Sequence, residues 1–278
     1  MRHLRLALLA PPLLLVGAFV LLPVLIALYA SLRQDGQWSL GHYLAFLQRG
    51  QYLAALANTA LFAGSAAVAS VLLALPACAY LSWRQGRLLR LLGASLLLAL
   101  AISGLLRILS WQILLSRSGP LNTALLSLGW LEQPLDLLYT RLAVLLGMTQ
   151  IMLPVAALIL LAGLRGLDPS LALAARTLGA GFWQVARDIW WPQLRRPLAN
   201  ALLAVFALSC GFFFLPALLG GPGDTVLGKL MHDDLVYDFE QGAALAAASG
   251  IAMTLLVLLV TLLCLLLGGR PFQRRSHS

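Results

Sequence analysis

Few residues in this chain have the type and spacing to do chemistry, and most of them stand without the companions that chemistry needs. Gly223-Asp224-Thr225-Val226-Leu227-Gly228-Lys229-Leu230 keeps the Gly-x4-Gly-Lys spacing that cradles phosphate, but Leu230 stands where a Ser or Thr would hold magnesium. An apolar run precedes it in place of a strand, so no nucleotide is expected there. His3, His42, His232 and His277 are scattered singly outside the apolar runs, no His-Glu-x-x-His occurs, and no Asp or Glu lies within a long apolar run. Intramembrane proteolysis and metal catalysis therefore lack their acids, bases and ligands. Cys78, Cys210 and Cys264 lie far apart in apolar runs and read as small buried hydrophobes. No metal and no cofactor are expected. Arg107 is the one charge inside an apolar run, with Trp111 four positions on. A guanidinium so placed faces the bundle or a wet cavity, or snorkels to the interface, which makes Arg107 and Trp111 candidates for a pathway or gate.

The remaining pattern is one of contact. Between Arg165 and Pro197 the chain leaves its apolar runs and reads RGLDPSLALAARTLGAGFWQVARDIWWPQLRRP. Asp168-Pro169-Ser170 is a helix start, with a capping acid and Pro at the first position. Leu171, Ala174, Ala175 and Leu178 recur at helical spacing, with Arg176 on another face. Gly179 and Gly181 interrupt that helix, and 182–190 can form a second, closed at Trp190-Trp191-Pro192, where indoles favour a membrane interface. A short helix–turn–helix with paired small residues permits close approach by another surface.

The elements that hold this loop are set by composition. The chain has 278 residues, 61% hydrophobic and only 10% charged, with a net charge of +9. Too few polar residues exist to cover a soluble surface. The positive charges sit in short clusters between apolar runs, which is a topology signal and excludes a nucleic-acid face. Charge-poor intervals give an all-α, polytopic membrane helix bundle with six expected spans at 8–31, 58–82, 90–114, 142–164, 198–220 and 244–268. The first run is too long for a signal-peptide core and reads as a retained helix. Residues 121–131 are apolar but too short to span and read as an interfacial helix packed on the bundle. With both termini in the cytoplasm, 13 Lys and Arg fall in cytoplasmic segments and 5 in external ones, which favours that orientation and places 165–197 in the cytoplasm. The acids Asp233, Asp234, Asp238 and Glu240 then cluster in an external loop, which reads as solvated or as a partner or cation contact. Three segments follow: 1–52 with the first helix and an external loop, 53–268 as the main transmembrane domain, and 269–278 as a basic tail.

Ala174-Ala175, three residues, Gly179, nine residues, Ile189, one residue, then Trp191-Pro192 resembles the EAA loop of ATP-binding-cassette importer permeases, Glu-Ala-Ala-x3-Gly-x9-Ile-x-Leu-Pro. Leu173 occupies the position of the Glu and Trp191 that of the Leu. Asn58-Thr59, Arg107 with Trp111, Gly119-Pro120-Leu121-Asn122, Asp168-Pro169-Ser170 and Leu218-Leu219-Gly220-Gly221-Pro222 resemble, in order, the spermidine/putrescine branch of that superfamily. The resemblance implies a type-1 transmembrane domain in the bacterial inner membrane and a transport subunit without enzymatic activity of its own. It also implies as partners a homologous second permease, two ATPase subunits, a periplasmic solute-binding protein and membrane lipid. Asp168, Leu173, Ala174, Ala175, Arg176, Gly179, Ile189 and Pro192 would couple the permease to the ATPase, with apolar packing or Arg176 replacing the missing Glu contact. The implied solute is polyamine-like; amino-acid derivatives, thiamine-like compounds and ferric ion are alternatives, and an ion-coupled carrier is a further one, disfavoured by the lack of intramembrane carboxylates.

Overall fold

The computed structural model describes residues 2–34, 36–82, 86–237 and 239–267. The expected basic tail, Arg84 and Asp238 lie outside the described residues, as does the side chain of Glu240. Among the described residues the elements are helices apart from one pair of two-residue strands. In chain order the elements are α1 (Arg2–Ser31), β1 (Arg33–Gln34), β2 (Gln37–Trp38), α2 (Gly41–Gln48), α3 (Gly50–Ser82), α4 (Arg87–Ala101), α5 (Gly104–Leu115) and α6 (Pro120–Ser127). They continue with α7 (Arg141–Arg165), α8 (Pro169–Thr177), α9 (Phe182–Val185), a π turn (Ala186–Trp190), α10 (Trp191–Cys210), α11 (Phe214–Leu219), α12 (Leu227–Tyr237) and α13 (Phe239–Leu267).

The expected all-α bundle is what forms, but its spans are less regular than the sequence suggests. Three helices are long and apolar enough to cross a membrane: Gly50–Ser82, Arg141–Arg165 and Gly242–Cys264. By that measure the described residues give three spans, or four if a bent pair counts as one, and not the six expected. The bent pair is the expected third span. Ile102 and Ser103 are extended, with ψ of 132° and 135°, and the helices on either side meet at 91°. The expected fifth span also stops short: α10 ends at Cys210, and α11 resumes after Gly211-Phe212-Phe213. A short helix forms where one was expected over 121–131, as α6, but it ends at Ser127.

The chain forms two compact units, 1–57 with 226–255 and 58–225 with 256–278. In the first, Phe46, Tyr52, Ala55, Leu227 and Leu245 form the core. The buried Tyr52 hydroxyl donates to both carboxylate oxygens of Asp234, at 2.8 and 2.9 Å. Gly242 passes so close to the Asp234 backbone that a Cβ would collide with its carbonyl oxygen. Lys229 binds Asp233 at 2.7 Å on the next turn of α12, so the lysine of the phosphate-loop look-alike is held by an acid. Two acids of the Asp233–Glu240 cluster are thus consumed by internal bonds, and among the described residues no three ligands gather to hold a metal. Phe19, Val20, Leu21 and Leu22 of α1 stay exposed, as do Leu258, Leu259 and Leu262 in the last part of α13, which belongs to the second unit. In lipid such a surface carries no hydrophobic penalty.

In the second unit α7 is the axis, the most deeply buried of the long helices, with α4, α5, α10 and α11 packed against it. Two glycines set the approach distances. A Cβ at Gly163 would lie 2.8 Å from Pro197 Cβ of α10, and one at Gly147 would lie 3.0 Å from Leu219 Cδ1 of α11. Ser70 Oγ of α3 donates to Thr149 O, and Cys78 Sγ to Ala157 O, which stitches α3 to α7 without a charge. The cysteines are free thiols, two of them buried, as their apolar surroundings imply.

Candidate coupling hairpin and solute pathway

The segment between α7 and α10 folds as the sequence requires at its start. Asp168 Oδ1 accepts from Ser170 N at 2.9 Å and from Ser170 Oγ at 2.7 Å, which caps α8. These two bonds favour the carboxylate and hold the Asp168 carboxyl below its ordinary value. The end of α8 explains the Ala175-x3-Gly179 spacing. Ala180 N donates to Ala175 O at 3.0 Å and Gly179 N to Arg176 O at 3.0 Å, the paired bonds of a Schellman cap. In that cap the residue after the helix must be left-handed, and Gly179 has φ +88°. Such a stop places Gly three positions after Arg176, whose carbonyl its own N–H closes, and four after Ala175, whose carbonyl is closed by the next N–H, that of Ala180.

Gly181 then starts α9, with its N–H donating to Gln184 Oε1 at 3.0 Å. The second helix does not end at Trp190-Trp191-Pro192 as expected. It passes through the π turn directly into α10, with Trp191 N reaching back to Ala186 O. Pro192 supplies no N–H, and widening the preceding turn gives its ring room without stopping the helix. Arg176 lies over the indole of Trp190, its guanidinium carbon 5.9 Å from the ring centroid, so it clasps the two arms of the hairpin. Phe182 meets the same indole edge-on at 5.7 Å.

The hairpin presents apolar surface outward. Leu178 is 88% exposed, Trp183 82% and Leu173 67%. Ala174 is exposed and Ala175 half-buried, and Ile189 and Pro192 line a cavity together with Asp168 and Leu171. The expected coupling residues therefore share one hairpin. Of the two acids of the hairpin, Asp168 is used by the cap, and both Asp168 and Asp188 line the cavity.

Arg107 and Trp111 are brought together with Gln150 and Ser110 around a second cavity of about 390 Å³ beside the break between α4 and α5. Arg107 is buried, and its Nη2 donates to Ile102 O at 3.1 Å. The charge inside the apolar run is thus directed at a backbone carbonyl released by the break. Sequence reading missed the break because Ile102-Ser103 carries neither charge nor proline; the signal that could have found it is Arg107 itself, together with Ser103-Gly104.

Other motif residues form structural ties. Asn58 Nδ2 donates to Gly223 O at 2.9 Å and Thr225 O at 3.0 Å, and Arg141 Nε meets Asp224 Oδ1 at 2.9 Å. Asp224 Oδ2 accepts from Gly221 N, which closes the Gly-rich turn after α11. Gln112 ties α5 to Leu218 O at 3.0 Å. Buried Asn122 spans Ser116 O, Leu135 O and Leu135 N, and so fixes the loop beyond α6.

The family model for the binding-protein-dependent transport system inner membrane component matches residues 7–271. The chain belongs to that family. It is the permease subunit of an ATP-binding-cassette importer, a transport subunit and not an enzyme, in the inner membrane. It is 28% identical over 251 residues to the spermidine/putrescine permease PotB of Haemophilus influenzae, with 86% of each chain covered. The Escherichia coli PotB protein is 32% identical over 158 residues, covering 56% of this chain and 58% of that protein. The thiamine permease ThiP of Brucella suis is 31% identical over 191 residues, 68% of this chain but 33% of that longer protein. The crystal structure of a bacterial transporter that imports the acidic polysaccharide alginate superposes with a TM-score of 0.73 at 19% identity, over 96% of this chain and 95% of the other. At that identity the likeness is one of fold.

Proposed function

We propose that this permease passes a small organic cation of the polyamine class and that a separate ATPase subunit drives it through the hairpin of α8 and α9. The observation that carries the coupling reading is the outward apolar face of Leu173, Leu178 and Trp183 on a hairpin whose Asp168 cap and Gly179 turn are bonded internally. Such a face is suited to an apolar cleft on its partner, with packing in place of a Glu contact. The solute class rests on the PotB relatives, of which one is covered over 86% of both chains. Within the 53–268 domain, Trp111 and Gln150 line the pathway at the broken helix, while Arg107 holds the break and does not contact the cation. Both termini and the hairpin face the cytoplasm. The full assembly contains a homologous permease, two ATPase subunits and a periplasmic binding protein that delivers solute.

Uptake of labelled spermidine, putrescine and thiamine into proteoliposomes, with the assembled complex and its binding protein, tests the solute class. Polyamine uptake that needs ATP and the binding protein is expected. Transport of thiamine alone, or polyamine uptake without ATP, would overturn it.

A further inference from the structure

The cavity beside the break between α4 and α5 holds a charge that nothing in its lining offsets. Arg107, Ser110, Trp111 and Leu114 line it from positions i, i+3, i+4 and i+7, so they form one face of α5, while Gln150 lines it from α7 and Ile102 from the break itself. No Asp or Glu is among the lining residues, and among the described residues no ion pair includes Arg107. Arg107 is only 8% exposed, and the one bond its side chain makes there runs from Nη2 to a neutral group, Ile102 O. A guanidinium carries several further N–H groups. They are not sealed in protein: among the described residues the buried side-chain nitrogens and oxygens without a partner are Ser209 Oγ and Ser249 Oγ, and no atom of Arg107 is with them. The unbonded nitrogens of Arg107 therefore open on the cavity it lines. Ser110 Oγ is used by Leu106 O at 2.8 Å, whereas Trp111 and Gln150 keep side-chain N–H groups with no partner among the described residues.

A buried charge left with a single carbonyl is costly, and an acid in the same wall is the usual remedy. This wall has none, so the opposite charge must arrive from outside the chain. We infer that the cavity is an anion site: a small monovalent anion, a free halide or carboxylate, sits on Arg107 with the N–H groups of Trp111 and Gln150 beside it, and offsets the positive charge where a cationic solute must pass. Bonds from a guanidinium to an anion are strong ones, and they gain strength inside an apolar run, where water screens them poorly. One guanidinium with no second cation in the lining matches a single negative charge, which disfavours phosphate and sulfate. The volume of about 390 Å³ is several times that of a bare ion, so the anion keeps part of its water and leaves room for solute. The anion site stands on geometry alone; its role in transport rests on the solute reading of the proposed function.

The test titrates the full-length chain, purified in mild detergent and exchanged into isethionate, with radiolabelled chloride at constant ionic strength. Saturable binding is expected in wild type. Arg107→Gln should weaken it by about tenfold or more, and Arg107→Lys, which keeps the charge, should retain most of it. Gln150→Leu leaves the bond from Arg107 to Ile102 O in place and should weaken chloride by about threefold to tenfold, so the site is tested even where Arg107→Gln disturbs the break. Displacement of the label by formate as well as by chloride marks carboxylates as a second source of the same chemistry; displacement by chloride alone marks the dissolved halide. No saturable binding in wild type, equal binding in wild type and both the Arg107→Gln and Gln150→Leu variants, or displacement by sulfate as readily as by chloride would each overturn the site. In proteoliposomes of the assembled complex, polyamine uptake should fall several-fold when isethionate replaces chloride, and Arg107→Gln should lose that dependence. Full wild-type uptake in isethionate would overturn the role given to the anion. Failure of the polyamine reading would show as no polyamine uptake at any chloride level and would leave the chloride titration unchanged.

Discussion

Gly179 and Arg107 carry opposite kinds of constraint. Gly179 adopts φ +88° with no atom within 4 Å of an added Cβ, so a substitution there meets strain in the backbone and open space around it. Gly179→Ala and Gly179→Trp should therefore destabilise the isolated hairpin alike, by about 1–2 kcal/mol. Only when the ATPase subunit is bound should the indole cost more than the methyl. Hydrogen exchange of 168–185 in the free permease, compared with ATPase co-purification, checks this; a larger effect of Trp in the free chain would show that space, not φ, governs the site. Arg107 instead satisfies a carbonyl. Arg107→Met leaves Ile102 O without that donor, and a loss of about 1–3 kcal/mol in thermal unfolding in detergent is expected. If Arg107→Met unfolded like wild type, the bond to Ile102 would not matter to the fold. The Asp168 cap is depressed below 3.8 by its bonds to Ser170, so its contribution is complete above the ordinary carboxylate range and is lost only as pH falls through that lowered value. A helix signal at 168–177 that is flat from pH 8 to about 5 is expected.

At the scale of elements, the long uninterrupted helices α3, α7 and α13 were legible because length and apolarity alone specify them. The start of the hairpin was legible for a similar reason, since Asp-Pro-Ser and Gly179 act locally. The breaks were not. Ile102-Ser103 and Gly211-Phe212-Phe213 interrupt helices without any charge to mark the interval, and the energetic reason lies in residues distant in sequence, such as Gln112 reaching Leu218 O. The run of α9 into α10 was hidden because Pro192 reads locally as a stop, whereas a π turn accommodates it. Arg141 reads as a topology charge and Asp224 as part of a phosphate-loop look-alike, and the two, 83 positions apart, meet only in the fold. Packing at Gly163 gives the sharpest element-scale prediction. A Cβ there would press on the rigid ring of Pro197 at 2.8 Å, so α7 and α10 must separate. Gly163→Ala should cost about 1–3 kcal/mol in thermal unfolding, and more than Gly147→Ala, whose neighbours are the flexible ends of Leu215 and Leu219. The reverse order would contradict the close α7–α10 contact.

The molecule as a whole is an inner-membrane permease with broad exposed apolar faces, and its hairpin projects exposed Leu and Trp between the long helices α7 and α10. Single-cysteine labelling places that hairpin: position 180 should resist an impermeant reagent in intact cells, while positions 40, 130 and 230 should label. Labelling at 180 from outside would reverse the orientation and remove the ATPase from this surface. The central claim is that the hairpin transmits ATP hydrolysis to the pathway by apolar docking. Arg at Ala175 or Asp at Leu178 would bury an unpaired charge in that contact, a penalty of several kcal/mol, without touching the membrane helices. The decisive measurement is co-purification of the ATPase subunit, together with ATP-driven uptake, for Ala175→Arg and Leu178→Asp against wild type at equal membrane insertion. The account predicts that both fall by about tenfold or more; full association and full uptake in both variants would contradict it.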